Sequence, residues 1–291
     1  MYFLDVPTGT RTSPKLVARQ SGLLLQTVDK PFLLGRTNGF GFYDRAFSRW
    51  IPADIGAVSP DGTHYAYASG APGGPNELHI VDVRTGVDRL AVNGGKYYPL
   101  DYTSGAIYLS ERNGGSGLPS GSGLFRLDLS TNAIRQLHNS TRIEYWSLIF
   151  GGFAYGSDVN PADPNPNGLG GASNELVRLD LATGAVVRFQ YHPGKAVYVL
   201  GITPEGQLLA EVGAGQPQII DAAGKAKSIP GAPADAFAFI DSRLTWLLTG
   251  GQASSANEPR NASLYAVSNG RAVHQMDFQW GPSDALVGAC R

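Results

Sequence analysis

Aromatic and charged residues in three segments between predicted strands are the best candidates for ligand binding. The segments are "GKYYP", "STRIEYW" and "QYHPGK". Aromatic rings there could stack on a sugar or on a peptide side chain. The predicted ligand-binding residues are Tyr97, Tyr98, Arg142, Glu144, Tyr145, Trp146, Tyr191 and His192. For any single aromatic residue, packing between neighbouring sheets is the competing interpretation.

Acid–base chemistry has weaker support in the sequence. His138 and His192 each follow a predicted outer strand and could approach Glu144, which would suit proton transfer or metal binding. Isolated surface histidines are the simpler interpretation. The chain contains no Gly-x-Ser-x-Gly motif, phosphate loop or dinucleotide fingerprint. We therefore predict no catalytic residue and no metal site, although a lyase or hydrolase remains an alternative.

One loop, "DVNPADPNPNG", carries oxygen donors that could bind calcium. The donors are Asp158, Asn160, Asp163, Asn165 and Asn167. The segment lacks the regular alternation and the terminal Glu of a helix–loop–helix calcium site, and three prolines stiffen it. We therefore predict an ordinary Asx- and Pro-rich loop and no cofactor, with Ca2+ as the lesser alternative.

Composition narrows the class of protein and its partners. The 291 residues have a formal net charge of -1, which gives no electrostatic reason to expect a nucleic acid. No apolar run is long enough to span a bilayer. The single cysteine, Cys290, excludes an intrachain disulfide. The 38 Gly and 19 Pro residues favour short strands joined by turns, and hence an all-β fold.

A short motif recurs seven times along the chain. Each copy is an alternating apolar run that ends in Asp, or once in Ser, and is followed closely by Gly or Asn. The copies lie 38 to 52 residues apart and are centred on Asp5, Asp44, Asp82, Asp128, Asp180, Asp221 and Ser268. Asp bonds the backbone two residues on, and Gly or Asn accepts a positive φ, so each copy predicts a strand and a tight turn.

Further strands surround each copy. A second strand follows the turn, as in "AVVRFQYH", and two more precede it, as in "IGAVSPDGTHYAYAS". Four strands per repeat of about 40 residues is typical of a β-propeller blade. The segment "SPDGTHYAY" followed by "LHIVDVRTG" resembles the repeat of TolB-like, WD-like β-propellers, which also occurs in propellers attached to prolyl peptidases. The resemblance implies the fold and leaves the activity open.

We expect a single β-propeller domain over residues 1–291. Seven four-stranded blades are predicted, closed by N- and C-terminal strands, with six or eight blades as alternatives. Within a blade the strands are called a to d from the axis outwards. The turns a–b and c–d then share one side, the turn face, and the connections b–c and d–a share the other, the loop face. The long insertions all fall in b–c connections, so they project from the loop face.

Loop elaboration on one side, without a catalytic motif, favours a non-catalytic scaffold that binds a protein, peptide or glycan on its loop face. One alternative is a lyase or hydrolase acting on a sugar polymer or lactone at the axial pocket. Another is a structural module of a larger cell-envelope protein. Met1 runs directly into a predicted strand. We therefore expect a mature form, without its leader, in the periplasm or outside the cell; a cytoplasmic protein is the alternative.

Overall fold

The computed structural model describes the chain in fifteen segments. They are residues 3–4, 11–12, 42–44, 49–51, 57–69, 75–111, 123–139, 143–163, 173–203, 205–213, 217–221, 223–234, 236–240, 245–249 and 260–280. Regular structure in these segments is almost wholly β. No helix among them is long and apolar enough to cross a membrane.

The described strands are numbered in chain order. They are β1 (Phe3–Leu4), β2 (Arg11–Thr12), β3 (Phe42–Asp44), β4 (Arg49–Ile51), β5 (His64–Ser69), β6 (Asn76–Asp82), β7 (Asp88–Gly95), β8 (Tyr97–Tyr102), β9 (Ala106–Glu111), β10 (Gly123–Asp128), β11 (Ile134–Asn139), β12 (Ile143–Phe150), β13 (Phe153–Asp158), β14 (Glu175–Asp180), β15 (Val186–Phe189), β16 (Val197–Ile202), β17 (Leu208–Val212), β18 (Pro217–Ile220), β19 (Ala226–Ser228), β20 (Phe237–Ile240), β21 (Thr245–Leu248), β22 (Arg260–Ser268) and β23 (Arg271–Trp280).

These strands form antiparallel sheets in which each strand pairs with the next one along the chain. Four sheets have four strands: β8–β11, β12–β15, β16–β19 and β20–β23. Strands β5–β7 form a three-stranded sheet, and a bridge between Val58 and Tyr65 marks the place of its a strand. Strands β1–β2 and β3–β4 form two hairpins. The all-β prediction and the four-stranded repeat are confirmed, while the number of blades and the closure of the ring stay predictions.

The first strand of each four-stranded sheet packs against the sheet that precedes it in the chain. Strand β8 contacts β5, β12 contacts β8, β16 contacts β12 and β13, and β20 contacts β16. Sheets whose first strands follow one another in this way are arranged as propeller blades, with strand a innermost.

The c–d turns owe their shape to the recurring aspartate. The Asp128 carboxylate accepts hydrogen bonds from the backbone N–H groups of Ser130 and Thr131 at 3.0 and 3.1 Å. Its bonds to the Ser130 hydroxyl and to these N–H groups lower the pKa of Asp128 to about 2. Asn132 then adopts a φ of 56°, as its replacement of Gly predicted. The recurring Asp is therefore a turn former on the turn face.

The a–b turns lie on the same face. In "SPDG" the Ser59 hydroxyl donates to the Asp61 carboxylate at 2.6 Å, and Gly62 donates its N–H to the Ser59 carbonyl at 2.8 Å with a φ of 71°. Gly206 repeats the backbone bond to Thr203 at 2.8 Å. The two predicted copies of this turn are thus equivalent in structure.

The hydrophobic core lies between consecutive sheets. Leu78 and Ile80 of β6 pack with Ile107 of β9 and Leu127 of β10. Each fully buried residue of this size contributes about 1.5–3 kcal/mol relative to an exposed one. In strands β9, β10 and β14 most side chains of either orientation are buried, because neighbouring sheets cover both faces, whereas the outer strands β7, β11 and β15 are largely exposed.

Candidate functional site

The best-defined polar site of the described residues lies on the loop face of the sheet β12–β15. Strand β13 ends at Asp158, and β14 begins at Glu175, directly opposite it. Arg188 on the outer strand β15 pairs with Val177. Antiparallel register therefore places three charged side chains from strands b, c and d at the base of one b–c loop.

Arg188 makes an ion pair with each of the two acidic residues. Its Nη2 lies 2.5 Å from Asp158 Oδ2, and its Nη1 lies 2.8 Å from Glu175 Oε2. The Asp158 side chain is 0% exposed, that of Glu175 is 6% exposed and that of Arg188 is 30% exposed. Burial raises the pKa of Asp158, and Arg188 opposes that rise. The positive charge of the Arg188 guanidinium thus offsets the desolvation cost of these two carboxylates at the base of the loop.

A second network, called the latch, fastens the b–c loop to the d–a connection. It consists of Asn160, Asp163, Asn174 and Gly194. Asn160 donates its N–H to Asn174 Oδ1 at 2.7 Å, and Asn174 Nδ2 donates to Asp163 Oδ2 at 3.1 Å. Gly194 donates its N–H to the same Asp163 oxygen at 3.3 Å. Asn160 Nδ2 also donates to Glu175 Oε1 at 2.9 Å, which joins the latch to the ion pairs.

Two of the predicted ligand-binding residues, Tyr191 and His192, lie beside the latch. His192 donates its N–H to the Asn174 carbonyl at 2.9 Å, and its Nε2 lies 3.0 Å from Gln190 Oε1. Burial and the charge of Lys195 lower the pKa of His192. The Tyr191 residue is 37% exposed, and partial burial together with Asp163 raises its pKa. Both residues therefore lie at the loop face, and their ligand-binding role stays a prediction.

Tyr97, in contrast, has a packing role. Its ring meets Phe125 edge-on with centroids 5.0 Å apart, and a Cβ at Gly95 would overlap the ring. Its backbone N–H and C=O both bond the Asn76 side chain, at 3.0 and 2.7 Å. Tyr97 thus joins strand c of one sheet to strand a of the next, and its role as a ligand contact stays a prediction. The neighbouring Tyr98 is partly exposed.

Trp146 is also a core residue. It is 2% exposed and packs with Leu124, and its ring meets the His138 ring edge-on at 5.6 Å. Burial of this extent favours the competing interpretation, packing between neighbouring sheets, and the ligand-binding role of Trp146 stays a prediction. Trp146 Nε1 and His138 Nε2 are buried and have no hydrogen-bond partner among the described residues. Burial also lowers the pKa of His138.

The other predicted residues are described only in part. Glu144 and Tyr145 lie at the start of β12, where the backbone is described, and Arg142 lies outside the described residues. Asn165 and Asn167 of the predicted calcium loop also lie outside them. Within the described segments no group of three His, Cys, Asp or Glu residues is arranged to hold a metal. The ordinary loop without a cofactor therefore stays the prediction, with Ca2+ as the lesser alternative.

Sequence reasoning missed Asn174, Glu175 and Arg188 as site residues. A signal was present, because "NEL" opens both "NELHIVDVRTG" and "NELVRLDLATG". Asn76 begins strand c in one sheet and Asn174 immediately precedes it in the other, and each bonds the chain that leads to the next first strand. The repeated Asn is therefore a connector between blades, distinct from the turn-forming Asp six residues later.

Comparison with known proteins supports the fold. No protein family model matches the chain, and no curated protein matches it either. The crystal structure of TolB from Acinetobacter baumannii is similar, with 14% sequence identity, a TM-score of 0.50, and coverage of 73% of this chain and 52% of that one. The fold is thus that of TolB-like β-propellers, and the chain spans about half the length of that TolB structure.

Two further similar structures have lower TM-scores. An oligogalacturonate lyase from Vibrio parahaemolyticus is 12% identical, with a TM-score of 0.48 and coverage of 96% of this chain and 83% of that one. A prolyl endopeptidase structure is 14% identical, with a TM-score of 0.48 and coverage of 81% of this chain and 38% of that one. At this identity the similarity concerns the fold alone, and the choice between binding and catalysis has to be argued from the side chains.

Proposed function

We propose that this protein is a non-catalytic binding module that presents its loop face to a protein, peptide or glycan. The observation that carries the proposal is the latch with its attached ion pairs. Together they hold the two described ends of the b–c loop, residues 159–163 and 173–174, the d–a connection and three strands in one arrangement. A surface that is fixed before its ligand arrives loses less conformational entropy on binding, which favours affinity.

The contrast between the two faces supports the same proposal. The described c–d turns are short and are closed by local bonds such as those of Asp128 and Asp180 to residues two and three positions on. The latch instead joins residues 11 to 31 positions apart in the chain. Buried charges such as Asp158 are expensive to retain, so long-range polar order on the loop face suggests a requirement beyond folding.

An enzyme is the second candidate, and His138 is the observation that favours it. Its lowered pKa keeps the imidazole neutral near pH 7, and its Nε2 has no partner among the residues that the structure describes. A neutral imidazole with a free nitrogen is suited to accept a proton. Reaction products in a mixture of the protein with a bound glycan or lactone, detected by mass spectrometry and absent with His138→Gln, would favour the enzyme over the scaffold.

An array that carries glycans and peptides tests the binding function. We expect the wild-type protein to bind at least one array member. Asp163→Ala, which removes the latch bonds to Asn174 and Gly194, should weaken that binding about tenfold or more. Thr183→Ala on the turn face is the matched control and should bind as the wild type does. Circular dichroism and thermal melting would confirm that both variants fold.

Two results would contradict the proposal. One is a wild-type protein that binds nothing on the array, and the other is equal loss of binding in Asp163→Ala and Thr183→Ala. The predicted location, in the periplasm or outside the cell, belongs to the same proposal, because a module that recognises cell-envelope ligands has to meet them there. Fractionation of the source cells with an antibody to the protein would check it.

A further inference from the structure

The first strands of three consecutive sheets share one irregularity. Each of β8, β12 and β16 has a register shift against its second strand, between Pro99 and Asp101, between Trp146 and Leu148, and between Val199 and Gly201. In each of the three sheets the first strand pairs with the second in the same antiparallel order before and after the shift. We therefore place the three shifts at the same level of the sheets. A β-bulge changes the direction of the neighbouring side chains. The same bulge in three sheets therefore orients the side chains of their first strands in the same way.

A tyrosine stands immediately before this bulge region in all three strands. Tyr98 pairs with Ser110, Tyr145 pairs with Ser157, and Tyr198 pairs with Glu211. Since β8 contacts β12 and β12 contacts β16, the three positions are neighbours at one level around the axis. Tyr98 and Tyr198 are both partly exposed. Tyr198 lies outside the sequence-predicted set, and only the strand register identifies it.

A lysine accompanies each of the two described tyrosines. Lys96 lies between β7 and β8, two residues before Tyr98, and Lys195 lies three residues before Tyr198. Both belong to d–a connections and are therefore on the loop face. Lys195 is close enough to His192 to lower its pKa. The loop face thus carries the same pair, a cation and an aromatic ring, on two blades that flank β12.

We propose that Lys96, Tyr98, Lys195 and Tyr198 form a binding site for an acidic polysaccharide made of uronate sugars. This inference rests on the proposed binding function and names its ligand class. The C–H face of a pyranose ring stacks on an aromatic side chain, and its carboxylate pairs with an ammonium group. A polymer repeats both features along its length, as the blades repeat the lysine and the tyrosine. An acidic peptide offers carboxylates without the repeated apolar ring faces.

Glu211 provides a further test of the proposal, because its negative charge opposes the binding of an anion. It is the register partner of Tyr198 and adds a negative charge beside one half of the site. Neutralising it should strengthen the binding of an anionic ligand. For an uncharged ligand the same change should have little effect.

Isothermal titration with an alginate hexasaccharide, cellohexaose and hexaglutamate tests the site. We expect alginate to bind at least tenfold more tightly than the other two. Tyr198→Leu should weaken alginate binding at least fivefold, and Lys96→Ala with Lys195→Ala at least tenfold. Glu211→Gln should strengthen it about twofold or more. Lys227→Ala, an exposed lysine on the outer strand β19 that pairs with Asp221, is the control and should change nothing. Thermal melting checks the folding of each variant.

Each other result overturns the inference in a distinct way. Equal binding of cellohexaose and alginate removes the role of the lysines, and preferential binding of hexaglutamate replaces the ligand class by an acidic peptide. If none of the three probes binds while another array member binds in a manner that depends on Asp163, the uronate site is wrong and the binding function stands. If no array member binds either, both proposals fail.

Discussion

Replacing Arg188 by Met should destabilise the protein strongly and in a manner that depends on pH. The change leaves the carboxylates of Asp158 and Glu175 without their shared cation, at 0% and 6% exposure. Removing one partner of a buried ion pair costs about 3–5 kcal/mol. Because the Arg188 side chain is 30% exposed and water can reach part of the site, we expect about 3 kcal/mol at pH 7.

The pH dependence follows from the direction of the Asp158 pKa. Burial raises that pKa in the folded state above the unfolded value of about 3.9, even with Arg188 present to oppose the rise. Stability from this group is therefore complete below about pH 4 and is lost as the pH rises through the folded pKa. Without Arg188 the folded pKa rises further and the loss above it grows. The difference between wild type and Arg188→Met should thus shrink to about 1 kcal/mol near pH 4, where lost packing remains.

Urea unfolding followed by tryptophan fluorescence at pH 4, 5.5 and 7 measures this difference. Arg178→Met is the matched control, since the Arg178 guanidinium lies over the Phe153 ring at 4.7 Å on the neighbouring strand β14. It should cost about 1 kcal/mol or less at every pH. A loss in Arg188→Met no greater than in the control, or a loss that is the same at all three pH values, would refute the role assigned to Arg188.

Substitutions at three further positions test the local chemistry. Burial raises the pKa of Asp101 to about 6, so its stabilising contribution is present below the unfolded value and is lost as the pH rises through about 6. Asp101→Asn should therefore be more stable than wild type at pH 8 by about 2 kcal/mol, with the advantage gone at pH 4 in the same urea assay. Asn132→Ala should cost about 1 kcal/mol in urea unfolding because of the φ of 56°, and Asn132→Gly should be close to neutral; equal losses would contradict the strain argument. The pKa of Asp128 is lowered to about 2 by its turn bonds, so Asp128→Asn should have a lower melting temperature than wild type at pH 7 and an equal one near pH 2.

The turns and the repeat could be predicted from sequence because their causes are local. Asp128 bonds residues two and three positions on, and Asn132 is a residue type that accepts the positive φ of the turn. A strand that ends in such a turn has the same form in every repeat. Because one local pattern recurs seven times, the sequence predicts the all-β class and the four-stranded repeat.

The site depends on the register between strands that are distant in the chain, and the sequence alone predicts little of that register. Arg188 reaches Asp158 across 30 residues only because strands b, c and d pair in one order. Trp146 and Tyr98 both lie near the start of a first strand, yet Trp146 is buried against Leu124 of the preceding sheet, while Tyr98 is partly exposed. The sequence therefore identifies an aromatic residue at a strand start as a candidate ligand contact. Packing against the adjacent blade determines whether its side chain is exposed.

Hydrogen exchange with and without the tightest-binding array member tests most directly whether the loop face is the binding surface. We expect protection of residues 95–98, 160–163 and 190–198, with unchanged exchange in the turns at 59–62, 128–132 and 180–184. Protection confined to those turns would contradict a binding role for the loop face.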